Sequence, residues 1–246
     1  MPTGLGDEKL WLCPSLDDSA DDISGNGNHG TYIGGMGTVA DTSNGGTRAY
    51  LFDGSNTQRI ECPASAIGSE PIISVSCWGY VNVHDAAYGE GLVSQFGAGT
   101  NSTTCKFTVN ASNGGSSSIF PSVGIRPSTS NVAAVSTNAI SAQSWHHFCL
   151  VADGSTIYNY VDGVLQASTA YTGSVRSVTN PFVIGTYNQL INNNHYLNGR
   201  IDDVRAFDRA LTTSEITALA SKRGYEVPAV SAVYHPFAAL NHPLAQ

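Results

Sequence analysis

Charge is what this sequence has least of. Only 12% of its 246 residues are Asp, Glu, Lys or Arg, about half the usual share. The 11 basic side chains are outnumbered by 19 acidic ones, leaving a net charge of −8. A nucleic-acid binder needs a basic patch to offset phosphate repulsion, and an anionic membrane surface asks for the same, so neither partner is expected. No apolar run approaches membrane-spanning length, and Met1–Leu10 lacks the basic start and apolar stretch of a signal peptide. The five cysteines (Cys13, Cys62, Cys77, Cys105, Cys149) are odd in number and contain no CxxC pair. They read as reduced thiols acting as small hydrophobes. These absences predict a chain folded in a reducing cytoplasm, or exported without a signal peptide.

Gly, Ser, Thr and Asn take the place of the missing charge, which suits short strands and turns better than long helices. Alternation dominates. In Ile73–Val83 one face carries Ile73, Val75, Cys77, Val81 and Val83, and the other carries Ser74, Ser76, Trp78, Tyr80 and Asn82. A period of two over that length is a strand. Shorter runs predict strands at Lys9–Cys13, Ala49–Phe52, Arg59–Cys62, Gly91–Phe96, Lys106–Val109, His147–Ala152, Ile157–Val161, Phe182–Ile184 and Ile201–Phe207. Asp-Gly pairs at Asp53-Gly54, Asp153-Gly154 and Asp162-Gly163 signal tight hairpins that need positive φ. The segment Asn110–Asn138 is weakly patterned and is expected to hold one or two strands with long loops. A short amphipathic helix is expected at Thr213–Ser221, with Glu215 near its start and Ile216, Leu219 and Ala220 on one face. Beyond it the Pro-broken tail reads as an extended arm. The expected fold is all-β: a two-sheet antiparallel β-sandwich over residues 1–221, with one short helix and an arm over 222–246.

Several stretches then resemble one family in order along the chain. Trp11–Asp18 and Asp22–Gly30 look like the opening of laminin G-like domains of the concanavalin A jelly-roll fold. Ala49–Gly54 and Val75–Tyr80 resemble their next and central strands. Trp145–Val151 with Tyr160–Val164, and Gly199–Leu211 with Glu215-Ile216, resemble the closing hairpins, strand and helix. That fold serves lectins, carbohydrate-binding modules, glycosidases, adhesion proteins and viral structural proteins, so it fixes no function alone. The end Ser221–Glu226 with its Pro-rich tail is similar to the ends of laminin G-like proteins of bacteriophage virions.

The resemblance implies a structural calcium held by the first loop and the closing strand. The candidate ligands are Asp22, Asn26, Asn28, Asp202 and Asp203, whose hard oxygens suit Ca²⁺; the alternative is an Asx-rich turn bonding its own backbone. His146 and His147 are adjacent, face opposite sides of a strand and cannot easily share a metal; one matches a structural histidine of the family. The adjacent Asp202 and Asp203 are likewise expected on opposite faces. Glycosidase chemistry needs two carboxylates flanking the bond, but Glu8, Glu61, Glu70, Glu90, Glu215 and Glu226 stand far apart and form no Glu-x-Asp-x-Glu strand. No catalytic residue is expected. Glycan contacts are expected at Tyr187, Asn188, Asn192, Asn194, His195 and Tyr196, where rings and amides share a loop. The arm residues Tyr225, Tyr234, His235, Pro236, Phe237 and His242 are expected to bind an assembly partner, another virion protein or a second copy. The first functional expectation is a non-enzymatic virion decoration protein made in the host cytoplasm. The alternative is a lectin-like adhesion module, and a glycoside hydrolase comes third.

Overall fold

The computed structural model describes residues 5–14, 18–55, 57–67, 71–96, 105–112, 114–127, 131–187 and 195–224. The chain opens with β1 (Leu10–Leu12), β2 (Thr31–Ile33), β3 (Gly37–Ala40), β4 (Arg48–Asp53) and β5 (Arg59–Cys62). It continues through β6 (Ile73–Val81), β7 (Gly91–Phe96), β8 (Cys105–Asn110), β9 (Ser122–Ile125) and β10 (Val132–Val135). It closes with β11 (Trp145–Ala152), β12 (Thr156–Val161), β13 (Val164–Ala170), β14 (Phe182–Ile184), β15 (Asn198–Phe207) and helix α1 (Thr213–Ser221).

These strands form two antiparallel sheets, a β-sandwich of the jelly-roll type. One has the order β13-β12-β11-β6-β15-β4-β3, with β1 also on β15; the other runs β10-β9-β8-β7-β14-β5-β2. The ten-residue β15 has room for two partners on one edge, β4 along its first half and β1 along its second. Alternate residues of both sheets meet in one core that includes Tyr50, Phe52, Val75, Phe107, Phe148, Phe182 and Ile201. On the outer face of the eight-stranded sheet, α1 sets Ile216 and Leu219 on Cys149, Val151 and Phe207. Among the described residues no helix is long and apolar enough to cross a membrane.

β6 divides its faces as its sequence predicts: Ile73, Val75, Cys77 and Val81 enter the core, while Trp78 packs outside with Trp145 and Ala49. Val83 does not follow, because the strand ends at Val81 and leaves it 63% exposed. The Asp162-Gly163 turn is a two-residue hairpin pairing Val161 with Val164, and both turn residues have positive φ (51° and 78°). Asp53-Gly54 is no hairpin. It carries the chain from β4 in one sheet to β5 in the other, and Asp53 instead folds its carboxylate onto the Ser55 N–H. The short strands β2 and β3 are not foreseen by alternation, while β9 and β10 are the two strands inside Asn110–Asn138. All five cysteines are free, four of them buried.

Candidate functional site

The outer face of the seven-stranded sheet is hollowed by its own composition. Ser94, Thr108, Gly124 and Ala133 pair in one row across β7, β8, β9 and β10. Their neighbours Phe107, Val109, Val123 and Ile125 point into the core. No side chain in the row is larger than threonine, and a cleft of about 30 Å³ opens over Thr108, Gly124 and Ala133, walled by Cys105, Arg126, Asn131 and Tyr187. A Cβ on Gly124 would stand 3.0 Å from the Thr108 Oγ1, so even an alanine there would crowd the cleft. Arg126 follows β9 in the outward phase, and its buried Nε has no hydrogen-bond partner. Its backbone carbonyl accepts from the Arg176 N–H at 3.1 Å. Burial pushes the Cys105 thiol up to about 12, against the opposing pull of the Arg126 charge, a hydrogen bond from the Arg126 side chain and the Arg176 charge.

An aromatic file runs from this cleft to the rim. Ring centroids lie 5.2 Å apart for Phe96 and Tyr187, 5.0 Å for Tyr187 and His195, and 6.0 Å for His195 and Tyr88. Tyr88 is 41% exposed and forms the open end. Burial lowers the His195 pKa, which favours a neutral imidazole there. Tyr187 and His195 are thus brought together as their sequence suggests, and Tyr196 sits beside them, bridged to Thr186. Asn188, Asn192 and Asn194 lie outside the described residues. Sequence reasoning missed Thr108, Arg126 and Asn131. The available signal was the small or polar residue at every second position of Ser122-Val-Gly-Ile-Arg126.

Among the described residues no carboxylate pair faces this surface. Glu90 is buried with a raised pKa, chiefly from desolvation, and is held by the Asp85 N–H (2.5 Å) and His84 Nδ1 (2.8 Å). Glu8 pairs with Arg205, Glu61 with Arg59, and Glu215 with Arg209; Glu70 and Glu226 lie outside the described residues. The family profile described as the concanavalin A-like lectin/glucanases superfamily (Laminin G 3) matches residues 39–217. The chain belongs to that superfamily.

Solved structures agree on the fold. Domain 4 of AbnA, a GH43 extracellular arabinanase from Geobacillus stearothermophilus solved with arabinotriose, superposes with a TM-score of 0.67 at 18% identity. The match covers 87% of this chain and 98% of that domain. The binding domain of Paraclostridial Mosquitocidal Protein 1 gives 0.68 at 15% identity, and that of Botulinum Neurotoxin serotype G gives 0.65 at 14%. Both matches cover 87% of this chain, which spans about half of each toxin domain (52% and 50%). A comparison with curated proteins returns no match.

The calcium expected from the superfamily finds no ready site. The Asp22 carboxylate already accepts three backbone N–H bonds, from Trp11 (3.0 Å), Ser24 (3.0 Å) and Asn28 (2.8 Å). Asn26 and Asn28 donate to the carbonyls of Glu8 and Lys9. β1 separates this loop from β15, bridging Asp22 on one side and pairing with Val204–Ala206 on the other. On β15, Asp203 pairs with Arg205 (2.9 Å) and accepts from the Trp11 indole (2.6 Å), and Asp202 faces Arg223 (3.4 Å). The five candidates therefore do not compose one coordination site, and two guanidinium groups already supply the positive charge. Among the described residues no three His, Cys, Asp or Glu side chains are placed to hold a metal ion.

Asp202 and Asp203 also depart from the opposite-face expectation. β15 bulges between Asp202 and Arg205, with Asp203 at φ 49°. The extra residue turns both carboxylates toward the outer-face cations. The histidines do separate. His147 is 1% exposed and edge-on to Trp78, and burial lowers its pKa to about 4. His146 bonds Asp162 at 2.8 Å. The arm residues Tyr225, Tyr234, His235, Pro236, Phe237 and His242 lie outside the described residues.

Proposed function

We propose that this chain is a non-catalytic, lectin-like module that binds a glycan across the outer face of the seven-stranded sheet. The observation that carries the reading is the aromatic file ending at a hollow walled by Arg126, Asn131 and Thr108. Ring faces cover the apolar face of a sugar, and amide, hydroxyl and guanidinium groups take its hydroxyls. Superfamily membership and likeness to domains named for binding support it. A glycan array followed by calorimetry tests it. Saturable binding that Tyr187→Ala weakens about tenfold or more, at unchanged melting temperature, is expected; wild-type affinity in Tyr187→Ala would refute the placement.

One sequence feature favours a second reading, a decoration protein of a bacteriophage particle attached through its arm. Residues 227–246 contain no Asp, Glu, Lys or Arg, yet carry Val230, Val233, Tyr234, Phe237, Leu240 and Leu244. A segment so poor in charge gains by burial against a partner rather than by solvation. Deleting Tyr225–Gln246 should then abolish incorporation into particles while leaving glycan binding intact. The two readings are compatible, since a virion-borne module can face host glycans.

A further inference from the structure

The chain's charge is not spread evenly, and the hollow sits in its positive half. Between Gly91 and Ile201 there are only two acidic residues, Asp153 and Asp162, against Lys106, Arg126, Arg176 and Arg200. This stretch is net +2 in a chain of net −8. Both aspartates belong to turns of the other sheet and are engaged: Asp153 with Ser155 and Thr156, Asp162 with His146 and His147. Strands β7 to β10 and β14, adjacent in the seven-stranded sheet, carry no acid at all. Of the segments joined to their ends, 97–104, 128–130 and 188–194 carry none either, and the turn before β7 carries Asp85 and Glu90, which are engaged by the Ala87 N–H and by His84.

Beside these acid-free strands the Glu61 carboxylate of β5 is taken by Arg59, and Arg126 has no carboxylate partner among the described residues. The opposite holds for Arg59, Arg200, Arg205, Arg209 and Arg223. Its Nε is buried at the hollow and unbonded. A buried donor without an acceptor is costly, and a guanidinium is geometrically matched to a carboxylate. Size narrows the choice. A water needs roughly 10–15 Å³, so a cleft of about 30 Å³ takes the two oxygens of one carboxylate and leaves a pyranose ring outside, against Tyr187.

We propose that the hollow selects acidic glycans, with Arg126 binding the carboxylate of a uronic- or sialic-acid residue and Tyr187 packing on its ring. This rests on the lectin-like reading above and names the class of sugar that reading leaves open. The opposite net charge of the rest of the chain would repel such ligands, so the local positive field confines them to this face.

The test compares uronate- and sialate-capped oligosaccharides with their methyl esters, which keep the skeleton and remove the charge, and with sulfated analogues. Binding of the full chain is measured by calorimetry at low and high salt. The acids are expected to bind about tenfold or more tightly than their esters, with a preference that shrinks in high salt. Arg126→Gln should remove the preference at an unchanged melting temperature, and Arg126→Lys should keep part of it. Equal affinity for acid and ester, tighter binding of the sulfated sugars, or a preference that survives Arg126→Gln would overturn the proposal. Neutral glycans bound alone would sink it and leave the lectin-like reading standing; no binding to any glycan would sink both.

Discussion

Arg205 and Arg223 are fully buried, and the Cζ of each sits over an indole, 3.8 Å from the Trp11 ring centroid and 4.0 Å from that of Trp145. Arg205 neutralises Glu8 and Asp203, while Arg223 serves Asp41 and Asp202. These pairs tie the N-terminal strand and the end of α1 to β15, much as the family resemblance implied for a calcium between the first loop and that strand. Removing one partner of a buried pair strands the other charge. Arg205→Met should therefore lower unfolding free energy by about 3–5 kcal/mol in urea melts; a loss under about 1 kcal/mol would mean the network is solvated. Asp202 adds a pH signature, since burial and the neighbouring Asp203 raise its pKa from 3.8 to about 7. The native state holds that proton more tightly than the unfolded chain. Its stabilising contribution is therefore full below about pH 4 and is lost as pH rises to about 7. Asp202→Asn should be more favourable, relative to wild type, at pH 8 than at pH 5. The imidazole of His147 runs the other way: with a folded pKa near 4, its contribution is full above about pH 6.5 and is lost as pH falls toward 4. Neither shift was legible in the sequence, because each arises chiefly from burial by residues remote in the chain.

At the scale of elements, local chemistry was a good guide where an element is closed by its own residues. The start of α1 is set by a capping box: the Thr212 hydroxyl accepts from the Glu215 N–H, and the Glu215 carboxylate accepts from the Thr212 N–H. Arg209 reinforces it and holds the Glu215 pKa down near 2. Thr212→Ala should cost about 1 kcal/mol, read from the urea midpoint at unchanged slope; no change would place the helix start under tertiary control. The Asp162-Gly163 hairpin was equally legible, since its two positive-φ residues define the turn by themselves. Asp53-Gly54 has the same dipeptide and a different outcome. The strands on either side of it bury their apolar faces from opposite sheets, and burial outweighs turn preference. The bulge at Asp203 was missed although the sequence breaks its alternation there: Asp202 and Asp203 are consecutive polar residues, and the core-facing positions slip from Ile201 to Val204 and Ala206.

For the molecule as a whole, the arginine ties imply a fold that does not need calcium. Melting with and without a chelator should give the same midpoint; a fall on chelation would restore the metal site, because a ligand bound only to the folded state must stabilise it. The sequence by itself determined the strand character of most of the chain, the face that β6 buries, and the helix and its cap. Those follow from a period of two and from short-range capping, which need no partner. It also placed Tyr187 and His195 at one rim, since both sit in one loop. Only the tertiary structure decided which strands share a sheet, that two guanidinium groups sit where a cation was expected, and that Thr108, Gly124 and Ala133 line up into a hollow beside Arg126. Each of those depends on residues far apart in the chain meeting across a ladder. The pairing is chosen by the burial of two sheets at once, and no single segment carries that information.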